Sequence, residues 1–354
     1  MAVLIHKDTI FIVLQSRGAL LCDTNEEVVM KAIVISEYGG PEKLVIQDIP
    51  DAKPKADQIL VQVKAFGVNR AETYMRKGAW GDVAKVSGIE CVGKVYEDPT
   101  GKFSSGQTVT AVMGGLGRSL NGSYAEFTCA PVTNVVPLNS SLAWEELAAV
   151  PESYSTAWTC LHENMHLLPG DVVFVRGGTS ALGQAAINIA ANTKDVTVIA
   201  STRKSERIEM LKGLGASHVV IEEPVLKDKV RKLFPEGIHS VLDLIGNSTL
   251  LDSLAMVRKG GYVCNAGFLG GPDPFAFNPL TQMPSGVNLN FFGSFVYGSQ
   301  DFPLSSVPLQ GIVDKVGGGV YKAKPAKVFE FKDIVKAHQL MEANASCGKI
   351  VVRL

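Results

Sequence analysis

Gly178-Thr179-Ser180-Ala181-Leu182-Gly183 carries the strongest chemical signal in the chain. It follows an apolar run, Val172-Val173-Phe174-Val175, and opens a helical stretch at 184–192. The first N–H groups of a helix lack intrahelical partners and stand at the positive end of its dipole, so a tight turn there can hold a pyrophosphate. The spacing is that of the dinucleotide fingerprint G-x-G-x-x-G, except that Ser180 replaces the middle glycine. The rival reading is a bare βα turn. Ser180 is not a hydrolase nucleophile, because Gly178-x-Ser180-x-x-Gly183 is one residue longer than G-x-S-x-G.

The end of the next strand chooses between cofactors. An acidic residue there would hold the ribose 2′-hydroxyl of NAD, whereas basic residues suit the 2′-phosphate of NADP. The chain offers Ser201-Thr202-Arg203-Lys204, with Arg207 one turn into the following helix. Positive charge at a helix start is electrostatically unfavourable unless an anion compensates it. NADP is therefore favoured, against the counterweight of nearby Glu206, Glu222 and Glu223. A second motif is set aside. His162-Glu163-Asn164-Met165-His166 fits H-E-x-x-H, which on a helix aims two imidazoles at zinc. Leu167-Leu168-Pro169-Gly170-Asp171 ends any helix at once and leaves no room for that geometry.

The elements that must position these residues follow from the rhythm of the text. From Met30 to about residue 137, short strand patterns alternate with Gly and Pro punctuation: 31–35, 44–46, 59–63, 93–95, 108–112 and 124–128. From about residue 145, strand and helix patterns alternate. Candidate strands at 172–175, 196–200, 218–221, 241–245, 262–265 and 289–292 make a set of six, with helices at 184–192 and 206–214. That alternation is the doubly wound nucleotide-binding architecture. A helix at 333–342 and a strand at 349–353 close the chain, and residues 1–29 read as a poorly ordered extension.

Composition bounds the rest. The chain has 354 residues, with 34 Lys plus Arg against 35 Asp plus Glu, a net charge of −1. Two domains are expected at this length. Near-neutral charge argues against a nucleic-acid partner, and no apolar run approaches the ~18 to 20 residues of a membrane span. Cys22, Cys91, Cys129, Cys160, Cys264 and Cys347 are scattered without a C-x-x-C pair, which suits buried thiols in a reducing, cytoplasmic setting.

Residues 30–354 resemble the zinc-free quinone oxidoreductase (zeta-crystallin-like) branch of the medium-chain dehydrogenase/reductase superfamily. The segments that carry the resemblance occur in order. They are Gly67-Val68-Asn69-Arg70-Ala71-Glu72-Thr73-Tyr74, Ser87-Gly88-Ile89-Glu90-Cys91-Val92-Gly93, Gly106-Gln107-Thr108-Val109, Gly122-Ser123-Tyr124-Ala125-Glu126, Pro151, Thr156-Ala157-Trp158, Pro169-Gly170-Asp171, the glycine turn, Ala343-Asn344 and Gly348-Lys349-Ile350. The resemblance implies a GroES-like β-rich catalytic domain from 30–154 and 296–354. Between those two pieces it implies a Rossmann domain at 155–295, with a doubly wound, parallel six-stranded sheet.

It implies chemistry as well. Zinc-dependent cousins carry Cys where Asn69 stands and His where Ile89 stands, and the four-cysteine lobe after Gly93 is missing, so no metal is expected. Oriented donors must then stabilise the charge developing on the acceptor oxygen. The resemblance points to Tyr74 as the phenol near that oxygen and to Asn69 as an amide beside the nicotinamide. Trp80 stands where relatives often carry a second Tyr; its indole can stack and donate but does not readily release a proton. Toward the cofactor, the resemblance assigns Thr156 to the nicotinamide end and Gly178, Ser180, Ala181 and Leu182 to the pyrophosphate. It assigns Ser201, Arg203 and Lys204, with Arg207 behind them, to the 2′-phosphate, and Gly246, Gly267 and Phe268 to the path beyond strands four and five. Glu222 stands where several NADPH-using relatives place a Tyr. The implied activity is NADPH-dependent hydride transfer to a quinone or an activated alkene by a homodimer. Enoyl-thioester reduction, and a weakly catalytic NADPH-binding structural protein, remain the alternatives.

Overall fold

The computed structural model describes residues 2–6, 9–13, 29–271 and 273–354. Strands β1 (Ala2–His6) and β2 (Thr9–Val13) pair antiparallel, and the remainder of the 1–28 segment, Cys22 included, lies outside the described residues.

The β-rich part begins with a hairpin, β3 (Val29–Ile35) and β4 (Leu44–Pro50), joined by a Gly-Gly-Pro turn. The long β5 (Gln58–Val68) runs into α1 (Arg70–Arg76), and β6 (Glu90–Glu97), β7 (Thr108–Val112), β8 (Phe127–Pro131) and β9 (Val135–Pro137) follow. After the short α2 (Trp144–Leu147), α3 (Pro151–Thr159) carries the chain into the second unit. Alternation of buried and open positions is weak along β5, because both its faces are covered.

The second unit alternates strand and helix: β10 (Val172–Arg176), α4 (Ala181–Ala191), β11 (Thr197–Thr202), α5 (Ile208–Gly213), β12 (His218–Ile221), α6 (Lys227–Leu233), β13 (Ile238–Asp243), α7 (Leu250–Leu254), β14 (Val257–Asn265), α8 (Pro279–Gln282) and β15 (Asn288–Phe291). The six strands are parallel in the order β12-β11-β10-β13-β14-β15. In sequence rank that order is 3-2-1-4-5-6, the Rossmann arrangement, and its direction reverses between β10 and β13. Ligands of such sheets bind at the carboxyl edge of that reversal. All six expected strands are present; the last turn of the expected 206–214 helix is shortened, and its start is a tighter 3-10 turn at Ser205–Arg207.

Beyond α9 (Leu309–Gly317) the chain returns to the first unit through β16 (Lys327–Glu330), α10 (Ile334–Glu342) and β17 (Ile350–Arg353). β17 pairs antiparallel with β5, setting Ile350 opposite Val68 and Val351 opposite Gly67. The chain end is thereby laid beside the start of α1, with Lys349 280 residues from Asn69 in sequence. The apolar core is continuous across the two units. Val92 and Val112 of the β-rich sheet, Ala157 and Leu161 of the connecting helix, and Val173 and Val175 of the parallel sheet are all buried in one cluster.

Candidate active site

The glycine turn lies at the carboxyl end of β10, in the loop that opens α4. Gly177 adopts φ +90°, a conformation costly for any residue with a Cβ. A Cβ on Gly183 would lie 2.5 Å from the Gly177 carbonyl oxygen and 2.8 Å from the Gly178 Cα, so the helix packs onto the turn only without one. Ser180 is the N-cap residue: its Oγ accepts from Gly183 N at 3.0 Å and donates to the Gly177 carbonyl at 2.9 Å. The hydroxyl therefore braces the turn, while the N–H groups of Ala181 and Leu182 remain among the first-turn donors that no helix can satisfy itself. Ser201 is buried, and its Oγ accepts from Gly177 N at 3.0 Å. It shapes the turn from the neighbouring strand. Arg203 and Lys204 project from the end of β11 as exposed side chains, with Lys204 Nζ 3.8 Å from Glu206; Arg207 is half-buried in the following turn.

Gly246, Gly267 and Phe268 come together at the ends of β13 and β14. A Cβ on Gly246 would lie 2.6 Å from the Gly267 carbonyl oxygen. The buried Asp243 accepts from Ile245 N and Gly246 N, each at 2.9 Å, and pins that turn. Glu222 does not stand as a free negative charge against a phosphate. Its Oε1 is 2.7 Å from Nη2 of the fully buried Arg176, which also reaches Asp252 at 2.8 Å. The H-E-x-x-H segment is not a metal site: a π-type turn at Cys160–Asn164 ends the helix, and His166 takes φ +51°. His162 instead meets Trp158, and His166 the ring of Tyr262.

On the other side of the cleft, α1 displays Arg70 and Tyr74 one turn apart. Tyr74 is half-buried, and its ring centroid is 5.5 Å from that of Trp80, which is 41% exposed and covered by the Arg118 guanidinium at 5.3 Å. Arg70 donates to the Met341 carbonyl at 2.9 Å and to Asn344 Oδ1. Burial holds its guanidinium below the ordinary range; Tyr74 and Glu342 oppose that shift, and the positive charge of Arg203 adds to it. Arg203 of the parallel sheet and Arg70 of α1 thus feel each other across the cleft.

Beneath α1 lies a buried ion cluster that the motifs did not announce. Lys349, immediately before β17, donates to Asn69 Oδ1 at 2.6 Å, to Ser153 Oγ at 3.2 Å and to Glu90 Oε1, which takes up all three ammonium hydrogens. Asn69 Nδ2 donates to Glu90 Oε1 at 2.9 Å, and Asn69 N donates to Glu72 Oε2 at 2.5 Å. The amide expected beside the nicotinamide is therefore turned inward, with its oxygen on the ammonium. Glu90 Oε2 accepts from Glu152 N at 2.8 Å, and Glu152 Oε1 accepts from Thr156 Oγ1 at 3.1 Å and Ser294 Oγ at 3.0 Å. Gly67 makes room: a Cβ there would lie 2.3 Å from Glu90 Oε1 and 2.4 Å from Lys349 Cε. Burial pushes Glu72 up to about 8, against the pull of Lys349. Glu152 is raised by burial as well, with Lys349 opposing and Glu90 reinforcing. For Lys349, burial alone would lower the value, but Glu90 and Glu152 outweigh it and the net shift is upward. One ammonium cannot balance three buried carboxylates, and protons make up the difference.

Residues 55–140 match the family model of the alcohol dehydrogenase GroES-like domain, and 181–309 match one described as zinc-binding dehydrogenase. The chain is 28% identical over 342 residues to the quinone oxidoreductase of Homo sapiens, covering 92% of this chain and 98% of that one. With the quinone oxidoreductase of Lama guanicoe it shares 27% over 336 residues at the same coverage. This chain belongs to the medium-chain dehydrogenase/reductase superfamily. A mycobacterial protein solved in complex with NADPH shares its fold at TM-score 0.81 and 25% identity, over 92% of this chain and all of that one.

As a medium-chain dehydrogenase/reductase, the chain is an oxidoreductase. Its residues fit a nicotinamide dinucleotide: the turn is a cradle that a Cβ would fill, and the open start of α4 faces the carboxyl edge of the sheet. Four residues of the site, Glu72, Glu90, Glu152 and Lys349, were not singled out by sequence. Glu90 and Lys349 sit inside segments that carry the family resemblance, but only the β5–β17 pairing brings them together. Among the described residues no helix is long and apolar enough to cross a membrane.

Proposed function

We propose that this oxidoreductase binds NADPH and delivers its hydride to a quinone or an α,β-unsaturated carbonyl acceptor without a metal. The observation that carries the reading is the braced glycine turn at the switch point, flanked by two guanidinium groups from opposite sides of the cleft. Arg203 and Lys204 project as exposed cations from the end of β11, where a 2′-phosphate would meet both. Glu222, which would oppose a phosphate, is paired with Arg176, a guanidinium it shares with Asp252. The names of the relatives and the NADPH complex of the mycobacterial neighbour support the same reading.

When bound, the nicotinamide supplies hydride from C4. The chain's own residues do the rest. Ala181 N and Leu182 N hold the pyrophosphate, Thr156 borders the nicotinamide end, and the Tyr74 phenol donates to the acceptor oxygen while Trp80 stacks on the acceptor ring. Lys349 occupies the Asn69 and Glu90 side chains, which supports a metal-free reading of the positions where zinc-dependent cousins differ.

The test is direct. Arg203→Ala combined with Lys204→Ala is expected to weaken NADPH binding about 10- to 100-fold, followed by nicotinamide fluorescence, while NADH binding stays within about threefold. Stopped-flow oxidation of NADPH by a panel of quinones and enones then defines the acceptor. Failure of every acceptor to oxidise NADPH would sink the reading.

A further inference from the structure

We propose that Glu152 is the catalytic acid of the reaction: its carboxyl hands a proton from Oε2 to the acceptor oxygen that becomes negative as hydride arrives. The inference rests on the reductase reading and adds the residue that supplies the proton.

Its position comes first. Glu152 lies in the first turn of α3, the segment that joins the two units. Its N–H is bound to Glu90 of β6, and its Oε1 is held by Thr156 of the same helix and by Ser294, which follows β15 at the carboxyl edge of the parallel sheet. β6 thus holds the Glu152 backbone, while Thr156 of α3 and Ser294 at the sheet edge hold its carboxyl. The flanking Pro151 and Ser153 are buried, Glu152 is half-buried, and its Oε2 has no protein hydrogen bond among the described residues. One oxygen is anchored and the other is open.

Charge counting supplies the proton. The ionisable groups facing Glu152 are Lys349 before β17, Glu90 of β6, Cys160 at the end of α3 and Tyr297 beyond β15. Only one of them is cationic, and its three hydrogens go to Asn69, Glu90 and Ser153, none to Glu152. With Glu90 already paired, a second carboxylate would be an uncompensated charge in a desolvated site, and the carboxyl keeps its proton. The other groups near the acceptor are poorer donors. Trp80 does not give up its indole proton, and a phenol is a weaker acid than a carboxyl.

The step balances. Hydride from the nicotinamide adds to a quinone and leaves a hydroquinone monoanion. The O–H bond at Glu152 Oε2 breaks, a new O–H bond forms on the acceptor oxygen, and water in the cleft returns a proton to the carboxylate. For an enone, hydride addition at the β-carbon leaves an enolate, the same proton converts it to the enol, and the enol tautomerises to the saturated carbonyl through water.

The test uses the full chain with Glu152→Gln, which keeps the shape and the acceptor oxygen but removes the proton. Infrared difference spectra between mildly acidic and mildly alkaline pH, taken without cofactor, are expected to show protonated carboxyl absorption in the wild type, of which the variant loses the Glu152 component and keeps that of Glu72. Turnover with the best acceptor is expected to fall about 10²- to 10³-fold, while NADPH affinity stays within about threefold. Ser294→Ala removes a hydrogen bond that favours the ionised form, so the basic limb of the rate profile should move to higher pH. An unchanged band in Glu152→Gln, a basic limb that Ser294→Ala leaves in place, or a fall in NADPH affinity as large as the fall in turnover overturns the inference. Wild-type turnover in Glu152→Gln overturns the acid role alone, whereas a wild type inert toward every acceptor overturns the reductase reading beneath it.

Discussion

Glu72 shows how a single side chain at this site couples chemistry to stability. It caps α1 by accepting from Asn69 N, as the third helical residue of a capping arrangement does, yet it is fully buried and pushed up to about 8. The folded protein therefore keeps a proton that the unfolded chain releases near 4.5, the ordinary value. Between these two pH values the unfolded state binds fewer protons, and folded-state stability falls as pH rises through the window. Glu72→Gln removes that term. Urea unfolding at pH 5 and pH 8 is expected to show a smaller loss of stability in the variant than in the wild type, the difference between the two proteins being the quantity that isolates Glu72. Equal losses in the two proteins would mean that Glu72 ionises normally in the fold.

At the scale of elements, the β10–α4 junction is the most constrained piece of the molecule. The fingerprint was legible because its glycines answer local steric demands, Gly178 the close approach of Ala200 and Gly183 the contact of helix on turn, while Gly177 just before them takes the left-handed φ. Gly183→Ala is expected to destabilise the protein by about 1–3 kcal/mol, since backbone rather than a flexible side chain must give way. Nucleotide affinity should fall at least about tenfold, because the N–H groups of α4 would lose their alignment. Thermal melting and fluorescence titration check both numbers; an Ala variant with wild-type affinity would show that the turn does not hold the cofactor. The basic strand end was equally legible, but the part of Ser201 was not. A serine beside a basic pair suggests a phosphate ligand, and only the pairing of neighbouring strands shows its hydroxyl on Gly177 N.

At the scale of the molecule, the parallel sheet ends in an open edge. Among the described residues β15 has no neighbour on its far side, and Phe291 and Phe295 beside it are 51% and 59% exposed. Exposed edges with apolar side chains invite pairing with a second strand. The homodimer expected from the family resemblance would join two such edges into one sheet with isologous symmetry. Sedimentation velocity at micromolar concentration is expected to give a two-chain particle for the wild type and a single chain for Phe291→Asp. A monomeric wild type would remove that expectation. The continuous apolar core across α3 bears on the same scale: the two units share buried residues and do not simply meet at a wet seam.

By itself the sequence determined the alternation of strand and helix, the glycine turn, the basic strand end and the departures at Asn69 and Ile89. All of these depend on residue type and short spacing, which the chain displays directly. The tertiary structure alone decided where the charges go. Lys349 lies far from Asn69 and Glu90 along the chain and next to them in space, because the last strand pairs with β5. Burial then changes how side chains at the site behave: it raises the Glu72 and Glu152 carboxyls, and Asn69 becomes a clamp on an ammonium. No local pattern encodes desolvation, since it depends on what the rest of the chain places over a residue.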